Sequence, residues 1–284
     1  MKKFIVAILS ASSLLFVGCA GTSAAPAVET KSGLEGQKVN TYLLGAHVDV
    51  KTATSKLKEA GFEVVASYQP IKDGTTIVFT NAQLKAEAAK PGRAHAAVLR
   101  LFVDDQEKTI SFTNPIYFGK AFMQDAYDHA VFNAQLEKIN AAFPGLKASA
   151  DVWDFDGLAT YHFMVGMPYY ADQDILAEGN TADLVAKAKA YKNGKELIFD
   201  IKLSDTSTLL GYELGKRTKK FVEKVGRANA AILPYCVSVE NGKATAFSAK
   251  YYIAISYPLL TMTEFMGIAT VPGAVAKDLE KPFK

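Results

Sequence analysis

The sequence predicts an α+β protein that contains two similar domains in tandem. The first observation is a repeated octapeptide, GRAHAAVL at 92–99 and GRANAAIL at 226–233, in which six positions are identical. The second is the order of strand-like and helix-like patterns around each copy, which repeats at an offset of about 132 to 135 residues. Colinear matches at a steady offset indicate a duplication, and two copies form two domains or an intramolecular pseudo-dimer.

The N-terminus carries the pattern of a targeting segment. A basic start precedes an apolar run over 4–17, which is shorter than the roughly 20 residues that span a bilayer. Gly18 and Cys19 follow, and this segment resembles the lipobox of bacterial lipoproteins. The resemblance implies a signal peptide over 1–18, a lipid on Cys19 and an outer-membrane location facing the periplasm. The alternative is a secretory peptide that happens to contain a cysteine. The small and polar stretch 19–37 predicts a flexible tether.

The charge balance and the cysteine content exclude some classes of partner and site. Loss of the signal peptide would leave one more basic than acidic residue, and this balance argues against a nucleic-acid-binding protein. Apart from Cys19, Cys236 is the single cysteine, so neither an intramolecular disulfide nor a cysteine-based metal site is expected. Cys236 lies in an apolar run, which favours a buried thiol over a nucleophile. The sequence implies no cofactor.

The first repeat domain is expected to span 38–148. Asn81 and Asn114 are placed to cap helices, and Pro115 fits the first helical position. The stripe of Phe132, Leu136, Ile139 and Phe143 predicts a helix with one buried face. The other expected elements are a strand at 40–48, a helix at 51–61, strands at 62–70 (with Phe62, Val64, Ala66 and Tyr68 on one face) and 75–79, and a hairpin of 96–103 with 108–112.

The second repeat domain is expected to span 158–284, after a linker over 149–157. Strand 96–103 of the first domain and strand 230–237 of the second should be equivalent central strands, in which Ala97, Leu99 and Leu101 face the helices as Ala231, Leu233 and Tyr235 do in the second copy. The expected elements are a strand at 159–167, an insertion at 168–180, a helix at 181–191, a strand at 196–203 and a hairpin over 230–247.

Two motifs of the first half carry a family resemblance. TIVFTNAQL at 76–84 and ISFTNPIYF at 110–118 resemble motifs of the bacterial family called domain of unknown function 302. Thr80 and Ala82 depart from the family's glycine and proline, and the second half keeps less of the pattern. The resemblance implies that each half is a curved antiparallel sheet with helices on one face, similar to the repeat of the TATA-binding protein. It also implies that the two halves pair within the chain.

Candidate site residues follow from the repeat. Arg93 and Arg227 each follow a glycine of the octapeptide, and they predict either paired anion contacts in a shared groove or structural arginines stacked on aromatic side chains. Tyr117 is a candidate to line the same groove. Asp125 and His129 are four residues apart, so on one helix both could face a metal.

The predicted function is that of a membrane-anchored periplasmic lipoprotein that binds a small or apolar ligand, or a partner protein, between the two copies. The alternative is an enzyme or redox accessory protein with a site around Asp125, His129 and Arg93. A purely structural role is the third possibility.

Overall fold

The computed structural model describes residues 32–284; Cys19, the signal peptide and most of the expected tether lie outside the described residues. The strands are β1 (Lys38–Asn40), β2 (Tyr42–Ala46), β3 (Glu63–Ile71), β4 (Gly74–Thr80), β5 (Leu99–Asp104), β6 (Thr109–Thr113), β7 (Lys147–Ala148), β8 (Val152–Asp154), β9 (Asp174–Glu178), β10 (Leu197–Lys202), β11 (Ser207–Tyr212), β12 (Tyr235–Glu240) and β13 (Lys243–Ala246). The α-helices are α1 (Val50–Glu59), α2 (Ala82–Ala88), α3 (Pro115–Met123), α4 (His129–Ala142), α5 (Thr181–Ala190), α6 (Phe221–Val225), α7 (Ala249–Ser256), α8 (Met262–Gly267) and α9 (Val271–Glu280).

Two curved antiparallel sheets organise these elements, which confirms the predicted α+β class. The first sheet has the strand order β3-β4-β5-β6-β2-β7, and the second has the order β10-β11-β12-β13-β9. Apart from β7, each sheet places its strands in the same order relative to the chain. A separate two-stranded ribbon pairs β1 with β8. The duplication of two separate domains stays a prediction, because residues 31–284 form one compact unit.

The hydrophobic core covers both faces of the sheets. Ile77 and Phe79 of β4 belong to a large cluster that also contains buried helix residues of both halves, such as Leu57 and Leu184. Val78 lies between them in the strand and therefore points to the opposite face. It belongs to a smaller cluster that joins strands of the two sheets: Val78, Ala88, Ala94, Ala97, Val98, Phe199, Ile201, Leu209 and Cys236. The halves are thus held together through their own apolar residues.

The predicted helix starts of the first half are confirmed. The Asn81 side chain accepts a hydrogen bond from the backbone N–H of Leu84 at the start of α2. Asn114 does the same for Ile116 at the start of α3, where Pro115 occupies the first turn. Such caps satisfy N–H groups that have no partner within the helix. These short polar motifs therefore fix where the two helices begin.

The sequence predicted that each copy of the octapeptide runs into a strand from its fifth residue, at 96 and 230. This prediction was wrong. The copies form 3₁₀ turns, called here the first repeated turn (Ala94–Ala97) and the second repeated turn (Arg227–Ile232). Ala97 and Ala231 therefore lie in turns, before β5 and β12 begin. Alanine favours helical backbone over strand and has no bulk to fill a sheet surface.

Each repeated turn packs against the opposite half. The second repeated turn contacts β5 and β6, and the first repeated turn contacts β11 and β12. The Ser111 hydroxyl in β6 donates a hydrogen bond to the backbone oxygen of Ala228, at 2.6 Å. Small residues allow this close approach of backbone to sheet. Each copy of the octapeptide therefore forms one side of the seam between the halves.

Three other expectations about the elements were wrong. The segment 159–167 forms no strand; the first strand of the second sheet is β9, inside the expected insertion. The expected linker contains β8, which pairs with β1. In β3 the register shifts between Val64 and Ala66, so Val64 lies opposite Phe79 and packs against the large cluster, whereas Ala66 lies opposite Val78 and packs against the smaller one. A bulge of this kind reverses the facing of the residues beyond it.

Candidate functional site

Arg93 lies at the seam, where it is engaged by residues of both halves. Its Nη2 atom donates to Oδ1 of Asp125 at 2.5 Å, and this hydrogen bond holds the pKa of Asp125 below its usual range. Its guanidinium carbon lies 5.5 Å from the ring centre of Tyr170. The Tyr170 hydroxyl donates to the backbone oxygen of Gly92 at 2.6 Å. The arrangement matches the structural alternative, an arginine stacked on an aromatic ring.

Arg227 occupies the matching place in the second half but makes more hydrogen bonds than Arg93 does. Its Nε atom donates to both carboxylate oxygens of Asp104, at 3.0 and 2.8 Å. Its Nη2 atom donates to the backbone oxygens of Lys72 and Asp73, at 2.8 and 2.9 Å. The Arg227 side chain is 15% exposed and that of Asp104 is 3% exposed. Arg227 therefore fixes the β3–β4 turn of the first half from the second half.

Tyr117 is fully buried in α3, and its hydroxyl donates to the backbone oxygen of Ile255 in α7 at 2.9 Å. The Tyr42 hydroxyl makes a parallel contact with the backbone oxygen of Ser256 at 3.0 Å. Tyr117 thus joins the halves, as Arg93 and Arg227 do. None of these three residues lines either of the open clefts that we describe below among residues 32–284.

The expected pairing of Asp125 and His129 on one helix is wrong. Asp125 lies in a short 3₁₀ turn, and α4 begins only after Asp128, whose side chain caps it. Nδ1 of His129 lies 3.1 Å from the hydroxyl oxygen of Tyr127. Over residues 32–284, no group of three or more His, Cys, Asp or Glu side chains could hold a metal ion.

Sequence reasoning missed a charged group at the centre of the seam. Arg100 in β5 is only 4% exposed, and its Nη2 atom lies 3.0 Å from Sγ of Cys236 and 3.3 Å from the backbone oxygen of Pro234. Arg100 and Cys236 are each the second residue of their strand, β5 and β12. Burial raises the pKa of the Cys236 thiol, and the neighbouring guanidinium of Arg100 partly offsets this rise. The buried thiol that the sequence predicted is confirmed.

His95 lies in the first repeated turn beside this centre. Its ring stacks on Phe247 with 3.8 Å between ring centres, and its Nε2 atom has no hydrogen-bond partner among the described residues. Burial, followed by the charge of Arg100, lowers the pKa of His95 to about 3. His95 is therefore neutral at physiological pH.

An open groove lies at the edge of the seam, and we call it the seam groove. It encloses about 560 Å³. One wall is the end of β3 with its turn, and the other is the chain between β11 and α6. Its lining residues are Gln69, Pro70, Ile71, Lys72, Glu213, Lys216, Lys219, Lys220 and Glu223. The groove is therefore built by both halves, and Arg93, Arg227 and Tyr117 are not among its lining residues.

The seam groove is basic. Lys219 already has partners. Its Nζ atom forms an ion pair with a Glu213 carboxylate oxygen at 2.5 Å and lies 5.7 Å from the ring centre of Tyr68. Lys216 and Lys220 are exposed and make no ion pair with any residue in 32–284. The Lys72 side chain is 89% exposed, and its nearest carboxylate oxygen, on Asp73, is 4.0 Å away. The exposed carboxylate of Glu223 also lines the groove, so the lining carries four lysines against two glutamates and keeps a net positive charge.

A second cleft of about 620 Å³ lies wholly in the second half. Burial, followed by the nearby charge of Glu280, raises the pKa of Asp174 on its wall. The other lining residues are mostly small or apolar: Gly166, Met167, Pro168, Tyr169, Asp172, Ser248, Lys250, Pro272, Gly273 and Ala276.

Comparison of the chain with protein-family models, with curated proteins and with solved structures found no match. Among residues 32–284, no helix combines the length and apolar character that crossing a membrane requires.

Proposed function

We propose that this chain is a lipid-anchored protein of the bacterial cell envelope whose folded part binds an anionic small molecule in the seam groove. The observation that carries the proposal is the set of cations that face the groove from both halves, namely Lys72, Lys216 and Lys220. The anchor rests on the lipobox-like segment that ends at Cys19.

The charge distribution supports an anion as the ligand. The whole chain has a formal net charge of only +3, so a groove lined by four lysines and two glutamates is a local concentration of positive charge. Like charges that line a concave surface raise the local potential and attract anions. Lysine ammonium groups are point charges with three donors each and suit phosphate and carboxylate oxygens. A volume of about 560 Å³ is in the range of small-molecule sites.

Arg227 supports this function indirectly. It binds the backbone oxygens of Lys72 and Asp73 and so positions the turn that carries one of the groove's cations. The residue that the sequence analysis placed in direct contact with an anion is proposed here to position the groove wall. Arg93 lacks this role, because its main partner is the exposed carboxylate of Asp125.

The alternative of an enzyme or redox accessory protein has less support. Arg93 and Asp125 neutralise one another through their ion pair. His129 is hydrogen bonded to Tyr127, so the three residues do not converge on one reacting position.

Ligand binding is tested by isothermal titration of the purified mature protein with inorganic phosphate, pyrophosphate and citrate. The double variant Lys216→Ala/Lys220→Ala should weaken binding of the preferred anion at least tenfold, about 1.4 kcal/mol. Raising the ionic strength from about 50 to 300 mM should weaken wild-type binding as well, since exposed charges are screened. The matched control Lys51→Ala/Lys58→Ala removes two exposed lysines of α1 and should leave binding unchanged. Equal affinity of both double variants would refute the site.

A further inference from the structure

An exposed apolar surface lies on the second half, and we call it the apolar face. Two segments form it: the loop that follows β8, and the chain that runs from the end of α7 through α8. The rings of Phe163 and Phe265 stack with centres 5.3 Å apart and so hold the two segments side by side. The members of the face, with their exposed fractions, are Met164 (45%), Val165 (95%), Leu259 (56%), Met262 (40%) and Met266 (63%).

Charged residues are nearly absent from the two segments. The stretch 157–171 contains no Asp, Glu, Lys or Arg, and the stretch 251–276 contains only Glu264. The Glu264 carboxylate accepts hydrogen bonds from Thr261 in the capping box of α8, so its partner lies within its own helix start. Charged residues make up 21% of the whole chain, so this surface is strongly depleted. A contiguous apolar surface without charges is typical of contact with a membrane or a partner.

The two segments that carry the apolar face both begin close to residues 36–42, where the N-terminal chain joins the fold. Next to the start of its first segment, the backbone N–H of Gly36 donates to Asp156 at 2.8 Å, and that of Phe155 donates to the oxygen of Gln37 at 2.9 Å. Near its second segment, the Tyr42 hydroxyl binds the oxygen of Ser256, the last residue of α7. Both segments therefore leave the fold beside residues 36–42.

The length of chain before the described residues sets the distance to the anchor. Thirteen peptide steps separate Cys19 from Ser32, and a fully extended chain of that length reaches at most about 45 Å. A surface tied to a membrane over such a span meets it at an effective concentration of about 1 mM. An interaction with a dissociation constant near 1 mM would then already be half occupied. The anchor thus makes weak insertion of a few apolar side chains sufficient.

We propose that the apolar face inserts into the lipid surface to which the chain is anchored. This inference rests on the proposed acylation of Cys19. Because the face carries almost no charge, its contact depends on apolar insertion at the headgroup boundary and not on anionic lipids. Docking would orient the folded part on the membrane.

Photocrosslinking of the full-length matured protein tests this contact. The protein is reconstituted in phosphatidylcholine vesicles that contain a diazirine-bearing phosphatidylcholine, irradiated, and digested for mass spectrometry. Lipid adducts should concentrate in 157–171 and 257–267, and should persist at high salt, because no charge pairing is involved. The double variant Val165→Asp/Met266→Asp should reduce adducts to less than about a fifth while the protein still floats with the vesicles and keeps its melting temperature.

The control variant is Ile175→Asp, since Ile175 is 58% exposed on β9 and lies outside the apolar face. It should leave the adducts unchanged. Adducts absent from both segments on an acylated, vesicle-bound protein would overturn the docking while leaving the anchor intact. Copy-to-copy crosslinks at the face in place of lipid adducts would also overturn it, in favour of self-association. If the N-terminal peptide carries no lipid yet adducts form at the face, the anchor fails and the docking stands.

Discussion

The two repeated arginines occupy matching positions, yet their removal should have unequal effects on stability. Replacing Arg227 with Met keeps the apolar stem and removes the guanidinium. The Asp104 carboxylate, whose side chain is 3% exposed, would then retain only the backbone N–H groups of Gln106 and Glu107. Breaking a buried pair by removing one partner costs about 3 to 5 kcal/mol, and the two remaining donors favour the lower end. We expect a loss of about 3 kcal/mol in the free energy of unfolding.

The same change at Arg93 should cost much less. Its ionic partner Asp125 has an 87% exposed side chain, and exposed pairs contribute about 0 to 1 kcal/mol. Its contact with the ring of Tyr170 adds about 0.5 to 1 kcal/mol. The expected loss for Arg93→Met is therefore about 1 kcal/mol. The difference between the two variants, about 2 kcal/mol, comes mainly from the burial of Asp104, and the backbone oxygens of Lys72 and Asp73 that Arg227 binds add to it.

Equilibrium unfolding in urea measures both values. The single tryptophan, Trp153, reports by fluorescence and the helices report by circular dichroism; coincident transitions would support a two-state treatment. Lys58→Met on the exposed face of α1 serves as the control and should change stability little. The double variant Asp104→Asn/Arg227→Met should lose less than the sum of its single changes, because the two residues share one interaction. Equal losses for Arg93→Met and Arg227→Met would refute the reasoning.

Three further predictions follow from the seam and the N-terminus. The fold lowers the pKa of His95 to about 3, so below about pH 6.5 the unfolded chain takes up a proton that the folded chain does not. The free energy of unfolding should therefore fall from pH 6.5 towards pH 3. In urea unfolding, His95→Phe should flatten this pH dependence. Tyr117→Phe removes the hydrogen bond to Ile255 and should cost about 1 kcal/mol in the same assay, without altering anion binding measured by titration. Cys19→Ser should move the protein from the membrane to the soluble fraction, as immunoblotting of the fractions would show; an unchanged distribution would contradict the anchor.

Local patterns in the sequence predicted the elements whose signals are local. Asn114 and Pro115 mark the start of α3 because a cap and a fixed φ act within a few residues. The spacing of Phe132, Ile139 and Phe143 predicted α4 because a single buried face sets the period. In each case the pattern that marks the structure lies within a few turns of the chain, although packing of the buried face in the core supplies most of the stability of α4.

Signals that depend on packing misled the sequence analysis. The segment 159–167 alternates like a strand, yet the strand that pairs with the outer side of β13 is β9. In the sequence, the alanines of the repeated turns look like the start of the strand that follows them. In the fold they form turns that pack against the opposite sheet. Arg100, a charge inside an apolar strand, was a signal that could have been noticed. Its partner Cys236 belongs to the other half and could not have been identified from spacing.

The seam groove could not have been predicted for the same reason. Lys72 lies in the first half and Lys216 in the second, and they approach only because the halves pack against one another. The lysines around 216–220 alone suggest the solvated surface of a helix. Only the fold places them opposite the β3–β4 turn, which Arg227 holds in place.

Nuclear magnetic resonance of backbone amides, with pyrophosphate as the titrant, tests the central claim most directly. Saturable shifts should appear together in 69–72 and 213–220, on both walls of the seam groove, and the Lys216→Ala/Lys220→Ala variant should weaken them at least tenfold. Shifts confined to the second cleft, around 166–174, or the absence of any saturable shift with phosphate, pyrophosphate and citrate, would contradict anion binding at the seam groove.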